Sequence, residues 1–294
     1  MMRILLLLAT NFAVMLLASV TLNILGVGPM LTSNGLNLTS LIIFGGIVGF
    51  GGAFFSLAIS KWQAKKFMGV QVIAAPRTEE EAWLVSTVQR QAKQAGIGMP
   101  EVGIFDAPEP NAFATGARRD AALVAVSTGL LRRMRRDQVE AVLGHEVSHV
   151  ANGDMVTQTL LMGVLNTFVF VFSRIIGSII DNLLRGNRGR SSGPGIGFFI
   201  GSFVAQIVLG MLANMIVMWF SRRREFRADE GGANLATRQS MIGALEALQH
   251  ASAPHMPEQM AAFGISASKA SGLRALFMTH PPLEDRIAAL RAMP

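Results

Sequence analysis

Long apolar runs alternate with polar segments along the chain. The first two uncharged runs are Ile4 to Leu25 and Leu36 to Ser60. Each is at least as long as the roughly 20 helical residues that cross the hydrocarbon core of a bilayer. The sequence therefore predicts two membrane helices within residues 1–60. Arg3 precedes the first run as in a signal peptide, but the length of the run and its lack of a persuasive cleavage site favour an uncleaved anchor.

A second pair of apolar runs, Met155 to Ile180 and Ile196 to Phe220, flanks a loop rich in glycine, serine and arginine. Both runs are long enough to span a membrane, which predicts a helical hairpin over residues 155–220. Arginines occur in the loop and directly after the second run, so a hairpin buried in protein or lying in the interface stays open. An even number of crossings places residues 61–154 and 221–294 in the same compartment.

The two polar segments carry the pattern of a water-soluble α+β domain. A capping box at Thr78 predicts one helix, a second begins at Asp137, and residues 221–248 and 281–292 predict two more. Residues 251–275 show no clear periodicity. Short apolar stretches predict three strands, namely Val102 to Phe105, Ala112 to Thr115 and Ala121 to Val126.

Composition supports a membrane protein. Hydrophobic residues make up 51% of the chain and charged residues only 15%, against about 25% in soluble domains. The net charge is +7, and Lys61, Lys65 and Lys66 follow the second run, which places residue 61 onward in the cytoplasm. We expect no nucleic acid partner. Because the chain has no cysteine, any metal must be held by histidine and carboxylate groups.

The pattern H-E-x-x-H occurs at His145, Glu146 and His149, within a predicted helix. Histidines four residues apart share a helix face, so both imidazoles can bind one ion while Glu146 reaches a water molecule. Zinc accepts imidazole and carboxylate ligands, and this arrangement is typical of peptide hydrolysis with a glutamate as general base. The pattern is short enough to occur by chance, but it uses two of only five histidines.

A third ligand is predicted on the helix that follows the fourth apolar run. Glu225 and Asp229 share one face of that helix, and the small Ala228 permits close approach of another helix. Glu225 is the favoured ligand, with Asp229 orienting a histidine through its far ring nitrogen. A solvated charged face is the alternative, and three histidines are rival ligands: His250, His255 and His280.

Four motifs together resemble the HtpX and Ste24 class of membrane-bound zinc metalloproteases. They are PNAFATG at 110–116, GHEVSHVANGD at 144–154, SRRREFRAD at 221–229 and THPPLEDRI at 279–287. The resemblance implies an α-helical integral membrane protein with an α+β, gluzincin-like zinc protease domain. It also implies one Zn²⁺ per chain, held by His145, His149 and Glu225, with Glu146 as the catalytic base.

The resemblance further implies an endopeptidase of the bacterial inner membrane, with its active site facing the cytoplasm. Its expected substrates are misfolded or damaged membrane proteins, cleaved in stress-related quality control alongside a membrane AAA protease. Asn111, Ala112 and Phe113 would lie on an edge strand that pairs with substrate, although an ordinary hairpin strand fits equally. His280 would stabilise the oxyanion or cap the last helix. Asp154 is expected to be structural rather than to orient a ligand.

Three other functions fit parts of this pattern. A Ste24-like prenyl-protein protease shares the chemistry, but four membrane runs are too few for the large chamber that this relative implies. A catalytically silent membrane chaperone or scaffold would have no need of Glu146. A zinc transporter would carry its ligands inside the membrane helices rather than in a polar-flanked helix.

Overall fold

The computed structural model describes residue 24, residues 36–185, residues 193–251 and residues 280–293. Apart from residue 24, the predicted helix over 4–25 lies outside this part of the chain, as do nearly all of residues 251–275. The chain divides into two compact units. Among the described residues, those within 1–56 and 157–217 form an apolar unit, and those within 57–156 and 218–294 form an α/β unit.

In the part of the chain that the structure describes, all four strands precede residue 128, and six helices then follow without a strand between them. Helices are α1 (Leu38–Phe67), α2 (Glu79–Gln94), α3 (Thr128–Arg133), α4 (Arg136–Asn152), α5 (Asp154–Arg185), α6 (Ile196–Leu235), α7 (Arg238–Ala251) and α8 (Leu283–Arg291). Strands are β1 (Gln71–Val72), β2 (Glu101–Phe105), β3 (Ala112–Thr115) and β4 (Leu123–Ser127), and a 3₁₀ turn covers Arg119–Ala121.

Helices α1, α5 and α6 are long and apolar enough to cross a membrane. They cover the second, third and fourth apolar runs of the sequence. In the apolar unit they approach closely where small residues meet: a Cβ placed on Gly49 of α1 would lie 2.5 Å from Thr167 Oγ1 of α5. Large apolar side chains such as Phe199 and Phe203 are exposed on α6, which is typical of a helix that faces lipid.

The α/β unit contains a four-stranded sheet in the order β1-β2-β4-β3. Strands β2 and β4 are parallel, whereas β1 and β3 are antiparallel to their neighbours. The three strands predicted from the sequence form, but Ala121 belongs to the 3₁₀ turn and β4 begins at Leu123. Strand β3 ends the sheet, so among the described strands only β4 pairs with it.

Apolar residues at helical and strand spacing build the core of this unit. Leu84 and Val88 of α2, Val124 of β4 and Leu143 of α4 are fully buried there, together with Leu245 of α7. Helix α4 packs against both β3 and α7. The core therefore holds the helix that carries the H-E-x-x-H pattern beside the edge strand.

Local signals fix the ends of the helices. Thr78 Oγ1 accepts the backbone N–H of Glu81, as predicted, but the Glu81 carboxylate accepts the N–H of Arg77 rather than that of Thr78. Helix α4 ends at Asn152 and is capped by Gly153, which has a φ of 70°, a left-handed conformation that favours glycine.

Candidate metal centre

Helix α4 brings the two histidines of the H-E-x-x-H pattern together. The Nε2 atoms of His145 and His149 lie 3.1 Å apart, and the two rings are almost perpendicular. His145 is 1% exposed and His149 is 9% exposed. Both imidazoles therefore direct one nitrogen to the same small volume inside the α/β unit.

Glu225 of α6 supplies a carboxylate to the same volume. Its Oε1 lies 3.3 Å from His149 Nε2, and its Oε2 lies 3.6 Å from His145 Nε2. In a tetrahedral zinc site with bonds of about 2.0–2.1 Å, ligand atoms stand about 3.3 Å apart. The three side chains form a group that could hold a metal ion, and their spacing fits one zinc.

Two further carboxylates face the outer nitrogens of the histidines. Asp154 Oδ2 lies 2.6 Å from His149 Nδ1, and Asp229 Oδ1 lies 2.9 Å from His145 Nδ1. The contact at His149 is a hydrogen bond, and a carboxylate can only accept one, so the proton of a neutral His149 ring belongs on Nδ1. At His145 the Asp229 carboxylate lies close to Nδ1 without hydrogen-bond geometry, and its charge favours the same tautomer. The lone pairs of both Nε2 atoms then point to the same volume as the Glu225 carboxylate. A bound cation would satisfy these three acceptors together.

These contacts shift the pKa of each imidazole. Burial alone would lower the pKa of both rings, because it disfavours the charged form. At His145 the contacts with Asp229 and Glu225 outweigh burial and raise the pKa. At His149 the contacts with Asp154 and Glu225 raise the pKa to about 10. Protons and a metal ion therefore compete for these nitrogens.

Close helix packing positions Glu225 and Asp229. A Cβ placed on Gly144 of α4 would lie 3.2 Å from the Cα of Gly232, and one placed on Gly232 would lie 3.0 Å from the backbone nitrogen of His145. Ala228 is fully buried, in line with the close approach expected from its size. Helix α6 can therefore lie against α4 with its carboxylates beside the imidazoles.

Two buried arginines complete the site, and sequence reasoning assigned neither of them a role. Arg286 of α8 donates two hydrogen bonds to Asp229 and has Nη1 3.5 Å from Glu225 Oε2. Arg224 donates from Nη1 to the backbone carbonyl of Asp154. A signal for Arg286 exists in the sequence, because it falls at helical spacing between Leu283 and Leu290, on the buried face of α8.

The remaining predicted catalytic residues lie close to this group. Glu146 is 4% exposed, and its charge acts on both His149 and Arg286. His280 is half-buried, and its Nδ1 donates a 2.5 Å hydrogen bond to Glu225 Oε2. Of the rival ligands, His250 is exposed near the end of α7, and His255 lies outside the described residues.

The predicted substrate strand lies beside α4 but offers little side-chain surface. Asn111 is buried, and its backbone N–H donates to Ser127 Oγ. Ala112 and Phe113 belong to two different buried clusters, one on each face of the sheet. A peptide added to this edge would therefore meet backbone groups of β3 rather than those two side chains.

A shallow pocket adjoins the site. Residues Gly116 to Arg119 line one part of it, and His149, Val150, Gly153 and Met155 line another. All of these residues belong to the α/β unit.

Comparison with known proteins gives a consistent result. The model of peptidase family M48 matches residues 78–294. A protease HtpX homolog from Thiobacillus denitrificans is 60% identical over 293 residues and covers 100% of both chains. Protease HtpX from Thioalkalivibrio sulfidiphilus is 58% identical, covering 100% of this chain and 99% of the relative. The crystal structure of S. mikatae Ste24p matches with a TM-score of 0.61 at 17% identity, over 97% of this chain and 67% of that one.

Proposed function

The chain belongs to the HtpX proteases of peptidase family M48, and we propose on this basis that it is a zinc endopeptidase acting on misfolded or damaged membrane proteins. Membership of this family makes the chain a metalloprotease, and its three apolar helices make it a membrane protein. The observation that carries the proposal is the convergence of His145, His149 and Glu225 within metal-binding distance, with Glu146 on the same helix.

The donor set fits one Zn²⁺, held by two imidazole nitrogens and one carboxylate. When bound, zinc supplies a Lewis acid that activates water and polarises the peptide carbonyl. Asp229 orients His145 and Asp154 orients His149, each at the Nδ1 atom of the ring. Arg286 holds Asp229 in place. The protein thus fixes the ligand geometry before any substrate arrives.

Glu146 is proposed as the general base. It lies one residue after His145 on α4, and its charge is felt by His149. A carboxylate in this position can take a proton from the attacking water and pass it to the leaving amine. Its burial keeps bulk water from competing for that proton.

His280 is proposed to stabilise the oxyanion. Its Nδ1 already donates to Glu225, so the ring must be protonated on both nitrogens to donate to substrate as well. This role predicts that His280→Ala lowers kcat more than it lowers zinc content. A purely structural role would reduce both together.

Substrate binding is proposed along the edge strand β3 and the residue before it, from Asn111 to Phe113. Backbone pairing gives affinity with little sequence preference, which suits a protease for damaged chains. The last residues of α1, from residue 57 onward, belong to the α/β unit, and there Lys61 and Lys65 both pair with Glu101. The excess of positive charge at this end supports an α/β unit that faces the cytoplasm of a bacterial inner membrane. A membrane AAA protease is proposed as a partner in degradation.

The test compares zinc content and cleavage of casein by the detergent-purified wild type with two variants. Glu146→Gln should keep one zinc per chain and lose cleavage, whereas Glu225→Ala should lose zinc. Glu140→Gln is the matched control, since this residue lies on α4 but pairs with the exposed Arg90.

Retained cleavage in Glu146→Gln would remove the proposed base, and full zinc in Glu225→Ala would remove the proposed third ligand. Zinc without cleavage in the wild type would favour a chaperone or a missing partner. An absence of metal, even after zinc is restored, would overturn the proposal.

A further inference from the structure

The pocket beside His149 carries two arginines that the proposed chemistry does not use. His149 is the most exposed of the three proposed ligands, so the metal site is most accessible on this side. Arg118 and Arg119 line the same pocket. A group bound there would lie next to the reacting centre.

Neither arginine is neutralised by a neighbour. Both are exposed, and within the described ranges neither side chain forms an ion pair with a carboxylate. The other exposed arginines of the α/β unit often do: Arg90 pairs with Glu140, and Arg291 pairs with Glu246. The pocket therefore presents two positive charges that are available to a ligand.

Packing against the end of α4 fixes the position of Arg119. A Cβ placed on Gly153 would lie 3.0 Å from Nη2 of Arg119 and 3.3 Å from its Nε. The guanidinium thus lies over a glycine whose φ of 70° already excludes most other residues. The terminal carbonyls of a helix attract positive charge, which favours this placement.

The two arginines also follow directly on the edge strand. Strand β3 ends at Thr115, and the turn that begins at Gly116 leads into Arg118. A peptide that pairs with β3 would run towards this turn. Val150 and Met155 add apolar surface on which the stem of a side chain can lie.

We propose that Arg118 and Arg119 form a subsite for an acidic side chain of the peptide substrate, on one side of the bond that is cleaved. Guanidinium groups bind carboxylates with charge-assisted, often bidentate hydrogen bonds. This inference rests on the proposed protease function and adds a preference to it. Backbone pairing with β3 would carry little sequence preference, and the arginines would favour chains with aspartate or glutamate at one position.

Phosphate groups of anionic lipids would also bind two arginines. The pocket includes His149, whose Nε2 belongs to the proposed ligand set, and this favours substrate over lipid. The test therefore includes a measurement of activity in phosphatidylglycerol vesicles.

The experiment profiles cleavage sites by mass spectrometry in an unfolded protein treated with the zinc-loaded, full-length enzyme in detergent. Matched peptides then carry Ala, Glu or Lys at the enriched position. We expect acidic residues to be enriched at one position, and kcat/KM to be about tenfold higher for Glu than for Ala, as for a hydrogen bond to a charged group. The double variant Arg118→Glu, Arg119→Glu should prefer Lys instead.

Arg132→Glu, Arg133→Glu is the control, because it makes the same change of charge at two exposed residues that do not line the pocket. It should keep the preference of the wild type. If the variant Arg118→Glu, Arg119→Glu loses zinc, the variant Arg118→Gln, Arg119→Gln replaces it. The preference for acidic residues should then disappear without reversing.

The outcomes separate the two proposals. Cleavage without any acidic preference, or an acidic preference that survives in Arg118→Glu, Arg119→Glu, would overturn the subsite without contradicting the proposed protease function. A variant that changes activity only in phosphatidylglycerol vesicles, with its peptide preference intact, would assign the arginines to lipid and overturn the subsite. No cleavage by the zinc-loaded wild type would overturn both.

Discussion

Arg286 holds Asp229 through two hydrogen bonds, one of 2.8 Å from Nε and one of 2.5 Å from Nη2. Both residues are almost fully buried, and Asp229 in turn lies against His145. The short helix α8 therefore reaches the metal site in two ways, through Asp229 and by the 3.5 Å approach of Arg286 Nη1 to Glu225 Oε2. Removing either partner would leave a charge buried without its counterion, which costs about 3–5 kcal/mol in typical proteins.

Arg286→Lys should weaken zinc binding. Lysine keeps the positive charge but cannot make the paired hydrogen bonds, so Asp229 would no longer be held beside His145. We expect the zinc dissociation constant to rise about 10- to 100-fold, measured by competition with a chelator. Arg291→Lys, on the exposed side of α8, is the control. An unchanged dissociation constant would contradict a positioning role for Arg286.

Asp154→Asn should have a similar effect through the other histidine. An amide can present its NH₂ group to His149 Nδ1, which would favour the wrong tautomer and turn a proton towards the metal position. We expect about 10- to 100-fold weaker zinc binding with the fold retained, measured by chelator competition and circular dichroism. Asp137→Asn changes an exposed carboxylate of α4 and should bind zinc normally. Equal affinity in both variants would assign Asp154 to the helix end alone.

Zinc binding should release protons at pH 7. The pKa of His149 is raised to about 10 in the metal-free protein, so its ring must lose a proton before it can bind metal. We expect apparent zinc affinity to fall about tenfold per pH unit for each proton displaced as the pH is lowered from 9 to 6. Calorimetry in buffers of different ionisation enthalpy counts the protons. A count of zero would contradict the prediction.

The raised pKa of His149 has the opposite consequence for the stability of the metal-free protein. A raised pKa in the folded state stabilises the protein fully below the unfolded value of 6.5, and this contribution is lost as pH rises towards 10. Metal-free protein should therefore become less stable, and zinc-loaded protein relatively more stable, between these limits. Thermal unfolding of both forms across this range checks the sign.

Gly232→Ala should disturb the metal site without touching a ligand. The added methyl group would meet the backbone of His145 at 3.0 Å and that of Ala141 at 3.1 Å, so α6 would have to move away from α4. We expect weaker zinc binding and a lower melting temperature. Gly210→Ala lies on the same helix, where a Cβ meets nothing within 4 Å, and should leave both quantities unchanged. Identical behaviour of the two variants would contradict this account.

Sequence patterns anticipated the parts of the site that depend on local geometry. His145 and His149 share a face because they lie one helical turn apart, and Glu225 and Asp229 do so for the same reason. The structure brings the two pairs together, although their assignment as ligands and orienting groups stays a prediction. Spacing places Arg286 on the buried face of α8 but does not identify its partner, since Asp229 is 57 residues away in sequence.

Strand pairing shows the same division between local and distant contacts. Short apolar runs predicted β2, β3 and β4, but β2 pairs with β4 in parallel and leaves β3 outside. That order depends on contacts between residues far apart in the chain, which a period of two along one strand does not encode. The pocket at Arg118 and Arg119 was missed for this reason, because α4 completes it.

The proposed pairing of substrate with the edge strand β3 has a consequence for turnover. A peptide paired along this edge is held by many backbone hydrogen bonds, each of them weak. Hydrolysis divides that peptide into two shorter pieces, and each piece keeps only part of the ladder. An enzyme that binds substrate in this way would loosen its own product by the act of cutting, so that the edge is cleared for the next chain without any separate step of ejection.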